Sequence, residues 1–273
     1  MANQKNGAVV RWASGVLLAT LASSAMASWN FNDDKTEWAG NGVDRTATAK
    51  FDGVSATAQA YSVLNSTRTA DSKAFAAGTT FAKASLRSNG SSGMGVLSGS
   101  ETQDSHPDHA VDNNGRTDMV LFKFSSEVIL NAVTIGYKSG DADISVLRYT
   151  GDTTGIQPDI ANRSWTWLKN NGWELVNDYA DLATGTAKTV NNENPDSPKR
   201  SSWWLVSAFN TGFGGTQPAS MNGNDYFKLA SLSGMKYVPP PSEEVPEPAS
   251  LALMGAALMG LVAARRRRTT ASR

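Results

Sequence analysis

The sequence contains no cysteine and only two histidines. Disulfide bonds and thiol nucleophiles are therefore excluded, and the chain must be held together by its hydrophobic core. The H-E-x-x-H pattern of zinc peptidases and the G-x-S-x-G elbow of many serine hydrolases are both missing. No fixed-period repeat occurs, which disfavours solenoids and propellers. These absences predict a protein that is not an enzyme.

Charge is unevenly distributed along the chain, although its 25 basic and 25 acidic residues cancel. Every acidic residue lies within residues 33–247, whereas seven basic residues lie in the two terminal segments. The central part is left with 18 basic against 25 acidic residues, a net charge of about −7. Nucleic acid binding needs a basic face, so we expect no nucleic acid partner.

The first 27 residues have the pattern of a secretory signal peptide. Two basic residues precede a short apolar segment at residues 16–22. Ala25 and Ala27 then place small side chains at both positions that signal peptidase requires. We therefore predict export through the general secretion machinery, cleavage after Ala27, and a mature chain that begins at Ser28.

The last 35 residues contain three consecutive signals. Residues 239–248 are rich in proline and glutamate, which predicts an extended, exposed linker. Residues 249–264 carry no charge and are predicted to form a single C-terminal transmembrane helix, although a full span needs about 20 residues. The apolar stretch ends in four arginines that belong on the cytoplasmic side of the membrane, Arg265, Arg266, Arg267 and Arg268.

The tripeptide Pro246-Glu247-Pro248, the apolar helix and the arginine cluster together resemble the PEP-CTERM sorting signal of Gram-negative bacteria. The resemblance implies recognition by an exosortase, an integral-membrane cysteine peptidase. It also implies a transient stay in the inner membrane, processing near the tripeptide, and delivery to the cell surface or the extracellular space. Such delivery often accompanies exopolysaccharide.

The body of the chain, residues 28–238, has the pattern of short strands separated by glycine- and asparagine-rich turns. Turns are expected at residues 125–127 and 139–141, and a short helix at residues 163–168. Helix competes with strand over the alanine-rich residues 70–77. The fold class is all-β, an antiparallel β-sandwich that is jelly-roll-like. The predicted strands cover residues 46–51, 54–63, 81–86, 119–124, 128–137, 144–149, 173–179, 203–209 and 226–238.

Four segments of this body resemble a set of exosortase-dependent surface proteins for which no activity can be carried over. These segments are residues 109–113, 172–176, 204–210 and 223–229. The predicted organisation is a signal peptide (1–27), a β-sandwich domain (28–238), a linker with the tripeptide (239–248), a transmembrane helix (249–264) and an arginine-rich cytoplasmic tail (265–273).

The densest polar cluster includes both histidines and lies within residues 101–118. It consists of Glu101, Asp104, His106, Asp108, His109, Asp112, Asn113, Asn114 and Asp118. Clustered carboxylates and amides suit Ca²⁺, although the spacing of an EF-hand is missing. Two interpretations stay open, a solvated loop without a cofactor and a calcium loop formed by Asp104, Asp108, Asp112, Asn114 and Asp118.

Five tryptophans fall close together in the second half of the chain, Trp165, Trp167, Trp173, Trp203 and Trp204. Buried tryptophans would fill the core, whereas tryptophans exposed on one face would stack on sugar rings. Core packing is the favoured interpretation. The leading functional hypothesis is a structural or adhesive surface protein associated with exopolysaccharide. The alternative is a carbohydrate-binding module or a carbohydrate-active enzyme on the same scaffold.

Overall fold

The computed structural model describes residues 27–66, 74–99, 101, 109–151, 160–194, 197–216, 218, 220–221, 223–239 and 249–270. Contacts divide the chain between Tyr237 and Val238 into a body and a C-terminal tail. Several predicted site residues lie outside the described residues, namely Ala25, Asp104, His106, Asp108 and the tripeptide Pro246-Glu247-Pro248.

The body consists of fourteen described strands, one α-helix and three short 3-10 helices. The strands are β1 (Ala27–Asn30), β2 (Glu37–Ala39), β3 (Thr46–Phe51), β4 (Val54–Leu64), β5 (Ala82–Lys83), β6 (Ser85–Ser88), β7 (Met94–Leu97), β8 (Val111–Asp112), β9 (Arg116–Lys138), β10 (Ile144–Tyr149), β11 (Trp173–Tyr179), β12 (Ala187–Thr189), β13 (Ser201–Ala208) and β14 (Tyr226–Lys236). The helix is α1 (Trp165–Asn170), and the 3-10 helices are Gly42–Asp44, Gly90–Ser92 and Thr211–Phe213.

One long strand, β9, connects two parts of the sheet, which we call its arms. One arm is made of the strands on the first half of β9, and the other is made of the strands on its second half. Its first half pairs with β4 and β13, and its second half pairs with β14 and β12. The prediction of a turn at residues 125–127 is therefore wrong. These residues contain neither glycine nor proline to break the strand. The Oγ of Ser125 accepts the backbone N–H of Ser55 at 3.0 Å, which helps hold this part of β9 in the sheet.

The prediction of an antiparallel, all-β body is confirmed, because every pairing between the named strands is antiparallel. The strands form one continuous curled sheet, however, rather than the two separate sheets of a sandwich. Side chains from both arms meet in one buried cluster, which includes Phe122 and Trp204 from one arm and Leu130 and Leu232 from the other. Sharing of β9 between the arms explains why the sheet does not divide.

The outer face of the β13 arm is also covered. A second buried cluster joins Leu121 and Leu205 to Leu168 of α1 and to Phe213. Ser164 caps α1 by accepting the N–H of Trp167 at 3.2 Å. All residues of β13 are buried, and β13 lies between β9 and β10. This confirms the prediction of a central strand in this part of the chain.

The tail contains one helix, α2 (Ala249–Thr270). The helix continues through the four arginines and past the predicted end at residue 264. Its described side chains at residues 253–262 are exposed. No helix in the described part of the chain is long and apolar enough to cross a membrane, so the predicted transmembrane helix is not confirmed.

The buried cluster between the arms predicts a large cost for removing one of its rings. Phe124 is 2% exposed and packs edge-to-face on Trp29, with ring centroids 4.7 Å apart. We expect Phe124→Ala to lower the free energy of unfolding by about 3–5 kcal/mol, because it leaves a cavity. Urea denaturation of the purified chain measures this change. The control is Phe51→Ala, whose ring is 38% exposed and should cost under about 1 kcal/mol. Equal losses in both variants would contradict the described core.

Candidate functional site

Three carboxylates converge where β8 meets the start of β9. One oxygen from each of Glu101, Asp112 and Asp118 lies within 4.8 Å of the others. Glu101 follows β7, Asp112 ends β8, and Asp118 is near the beginning of β9. We call these three residues the acidic triad. The sheet brings them together from separate parts of the chain.

A close approach of two chain segments positions Asp112. The N–H of Val96 donates to the carbonyl of Ala110 at 3.2 Å, which holds the segment before β8 against β7. A Cβ atom on Gly95 would lie 1.9 Å from the carbonyl oxygen of His109. Only glycine permits this contact, so Gly95 lets Asp112 reach the other two carboxylates.

Asp118 is the most unusual member of the acidic triad. It lies on the face of β9 that carries the buried side chains of Val120 and Phe122, two residues before Val120. Its side chain is fully buried, and neither carboxylate oxygen has a hydrogen-bond partner among the described residues. Burial raises the pKa of Asp118 well above its usual range, and the charges of Asp112 and Glu101 raise it further.

The hydroxyl of Ser98 is a neutral polar group beside Asp118. It is close enough to Asp118 to lower the pKa of that carboxyl, but it does not reach hydrogen-bond geometry with either oxygen. Ser98 is 3% exposed, and its Oγ has no partner in the described part of the chain. Two buried polar groups are therefore left unsatisfied side by side, which is costly in a protein interior.

Backbone groups orient the other two carboxylates. The N–H of Ser98 donates to Oε2 of Glu101 at 2.7 Å. The N–H of Asn114 donates to Oδ1 of Asp112 at 2.9 Å, which closes a tight turn between β8 and β9. These bonds hold the oxygens of Glu101 and Asp112 near Asp118.

Two cations lie near the acidic triad, and both have other hydrogen-bond acceptors. Nε of Arg116 donates to Oγ of Ser62 at 3.0 Å. Nζ of Lys228 donates to the carbonyl of His109 at 3.0 Å, and burial lowers the pKa of Lys228 to about 8. Neither cation donates a hydrogen bond to Asp118.

The structure brings together part of the predicted calcium loop. Asp112 and Asp118 converge, and Asn114 contributes its backbone N–H to Asp112. The predicted ligands Asp104 and Asp108 lie outside the described residues. Glu101 belonged to the polar cluster in the sequence but not to the predicted loop. Its spacing from Asp112 and Asp118 follows no local pattern, so only the folded sheet identifies it.

A second group of carboxylates, Asp141, Asp143 and Asp225, has its hydrogen bonds supplied by the protein. Oδ1 of Asp225 accepts the N–H of Asp143 at 2.7 Å, and its Oδ2 accepts a short bond from Nδ2 of Asn113. Oδ1 of Asp143 accepts the N–H of Asp181 at 2.8 Å. Burial raises the pKa of Asp143 to about 7. These bonds indicate a structural role.

The tryptophans mostly fill the interior, as the favoured interpretation predicted. Trp173, Trp203 and Trp204 are buried, and Trp165 packs edge-to-face on Phe213 with ring centroids 5.2 Å apart. Trp167 is 40% exposed, and the guanidinium of Arg163 lies 4.3 Å from its ring centre. Of these five rings, only Trp167 is prominently exposed, and Arg163 already covers one of its faces.

A polar cleft of about 320 Å³ lies beside β10 and β13. Arg148, Lys199 and Arg200 line it together with Glu127. Arg148 pairs with Glu174 at 2.7 Å, and Lys199 approaches the same carboxylate at 3.4 Å. Arg200 pairs with Glu127 at 3.3 Å. The cleft is therefore lined by three cations and by the carboxylate of Glu127, and Glu174 pairs with two of the cations.

In the chain, the antiparallel β body is followed by a proline-rich segment and by a helix that contains four consecutive arginines. The PEP-CTERM protein-sorting motif matches residues 244–268, so the chain carries this motif, as the resemblance predicted. The motif implies export and exosortase-dependent sorting. Comparison with curated proteins and with solved structures gives no significant match.

The raised pKa of Asp143 predicts a pH-dependent stability. The folded chain holds this proton more tightly than the unfolded chain, whose carboxyl titrates near 3.8. Its contribution to stability is thus complete below about pH 4 and is lost as the pH rises through about 7. Asp143→Asn keeps the Oδ1 acceptor but cannot ionise. We therefore expect its free energy of unfolding, relative to that of the wild type, to be about 1–2 kcal/mol higher at pH 8 than at pH 5.

Urea denaturation at pH 5 and pH 8, in the presence of a chelator, measures this difference. The control is Asp34→Asn, because the Asp34 side chain is exposed. A wild-type pH dependence that Asp143→Asn leaves unchanged would refute the assignment.

Proposed function

We propose that the protein is exported, sorted by an exosortase to the cell surface or extracellular matrix, and serves there through a non-enzymatic, structural or adhesive β body. The observation that carries this proposal is the sorting motif at residues 244–268. The contact boundary between Tyr237 and Val238 supports it, because the motif lies wholly outside the body. Removal of the motif would therefore leave the strands of the body intact.

The N-terminal end of the body supports signal-peptide removal after Ala27. Ser28 pairs with Ser233, and β1 continues along β14 to Asn30. Trp29 is fully buried, and its Nε1 donates to the carbonyl of Val54 at 2.9 Å. A mature chain that begins at Ser28 keeps all of these contacts. Signal peptidase and the general secretion machinery are the partners in this step.

The tail helix supports a transient stop in the inner membrane of a Gram-negative bacterium. Leu253, Met254, Leu258 and Met259 expose apolar side chains that would be covered by lipid. The uncharged part of the helix is short for a full span, so Arg265 and the arginines that follow would reach toward the headgroups. In this position the exosortase would process the chain near Pro246-Glu247-Pro248.

Substitution of the tripeptide tests the sorting proposal. We expect Pro246→Ala, Glu247→Ala and Pro248→Ala together to leave the protein unprocessed in the membrane fraction, because the peptidase loses its recognition sequence. Fractionation and intact-mass analysis in the native bacterium provide the measurement. The control changes Ser242 and Glu243 to alanine, just before the motif, and should be processed like the wild type. Normal surface delivery of the triple variant would overturn the proposal.

A second candidate function is contact with an acidic exopolysaccharide. The observation that favours it is the cleft lined by Arg148, Lys199 and Arg200, in which cations outnumber carboxylates. Arg200 also stacks on Tyr237, with its guanidinium 4.0 Å from the ring centre. Sugar carboxylates would compete for these cations by bidentate and point-charge contacts.

Alginate, an acidic polysaccharide, serves as the probe for this second candidate. We expect Lys199→Gln combined with Arg200→Gln to weaken binding of the purified chain about tenfold in low salt. The matched control combines Lys50→Gln with Lys83→Gln, which also removes two cations that are paired with carboxylates. Equal weakening in both double variants, or no wild-type binding to alginate, would eliminate this candidate.

A further inference from the structure

The acidic triad concentrates negative charge at one point of the body. Glu101, Asp112 and Asp118 bring three carboxylates within 4.8 Å, where like charges repel strongly. The nearby side chains of Arg116 and Lys228 donate to other acceptors. A positive group between the three oxygens would remove this repulsion.

Asp118 and Ser98 supply independent evidence for a ligand. Both side chains are more than nine-tenths buried, and among the described residues no group hydrogen-bonds to either Asp118 oxygen or to Ser98 Oγ. Buried polar atoms without partners are rare in folded proteins. Here the hydroxyl of Ser98 lies beside Asp118, and Asp118 has an oxygen within 4.8 Å of the other two carboxylates.

The donor atoms identify the kind of ion. The acidic triad and Ser98 offer only oxygens, which favours a hard cation over zinc or copper. Oxygen ligands lie about 2.3–2.6 Å from Ca²⁺, so two ligands of one ion are at most about 5 Å apart. The carboxylate separation in the acidic triad fits this limit. Mg²⁺ needs shorter bonds and a stricter octahedron.

We propose that Glu101, Asp112 and Asp118, with the Ser98 hydroxyl beside them, form a Ca²⁺ site that fixes the end of β7, the end of β8 and the start of β9 to one another. The site is the acidic triad of the body and is independent of the sorting tail. The alternative to a bound ion is a protonated Asp118 carboxyl. In that case calcium would not change the melting temperature.

The melting temperature of the purified full-length chain tests the proposal at neutral pH. We expect about 5 mM Ca²⁺ to raise it by about 3 °C or more relative to chelator, since a ligand that binds only the folded state stabilises it. The same concentration of Mg²⁺ should give a clearly smaller shift. No shift with Ca²⁺ would overturn the proposal, and an equal shift with Mg²⁺ would overturn the choice of calcium.

Two variants locate the effect. Asp118→Asn removes the buried charge at nearly constant volume, so it should abolish the calcium shift while melting at or above the wild type in chelator. Glu101→Gln, at a partly exposed position, should reduce the shift and serves if Asp118→Asn does not fold. The matched control Asp141→Asn, in the other carboxylate group, should keep the full shift. A shift retained by both triad variants would refute the site.

Discussion

The pairing of β9 with both arms of the sheet is the constraint on which the rest of the body depends. One continuous strand, Arg116–Lys138, gives hydrogen bonds to β4 and β13 and then to β14 and β12. Because the same strand serves both arms, their inward side chains meet in one cluster. The chain has no cysteine, so this packed interior and the strand ladder hold the arms together.

The acidic triad lies at the beginning of the same strand. Along β9, the row of inward side chains changes from Phe122 and Val120 to the carboxylate of Asp118. A charge at this position is expensive unless it is paired or ligated. The geometry therefore couples the stability of the β9 start to whatever neutralises Asp118. A Ca²⁺ ion would do this outside the cell, where calcium is not kept scarce.

Delivery and architecture are carried by different parts of the molecule. The sorting motif occupies residues 244–268, and the contacts of the body end at Tyr237. The tail carries the sorting signal. The body carries two candidate binding sites, the cleft with Arg148, Lys199 and Arg200 and the acidic triad. Trp173, Trp203 and Trp204 lie in the interior and contribute to the packing of the body.

Local pattern was sufficient for several strands and for the sorting tail, but it missed the short strands β1, β2, β7, β8 and β12. The bounds of β3 follow from alternating side chains, and those of β10 and β11 follow from runs rich in aromatic and aliphatic residues. The tail is recognised because proline, apolar and arginine segments are contiguous. Features that join distant residues required the fold. The continuity of β9 through Ser125 depends on neighbouring strands, and Glu101 reaches Asp118 only after three strand ends meet. Sequence encodes contiguous physical signals directly, but which strands become neighbours depends on packing across the whole sheet.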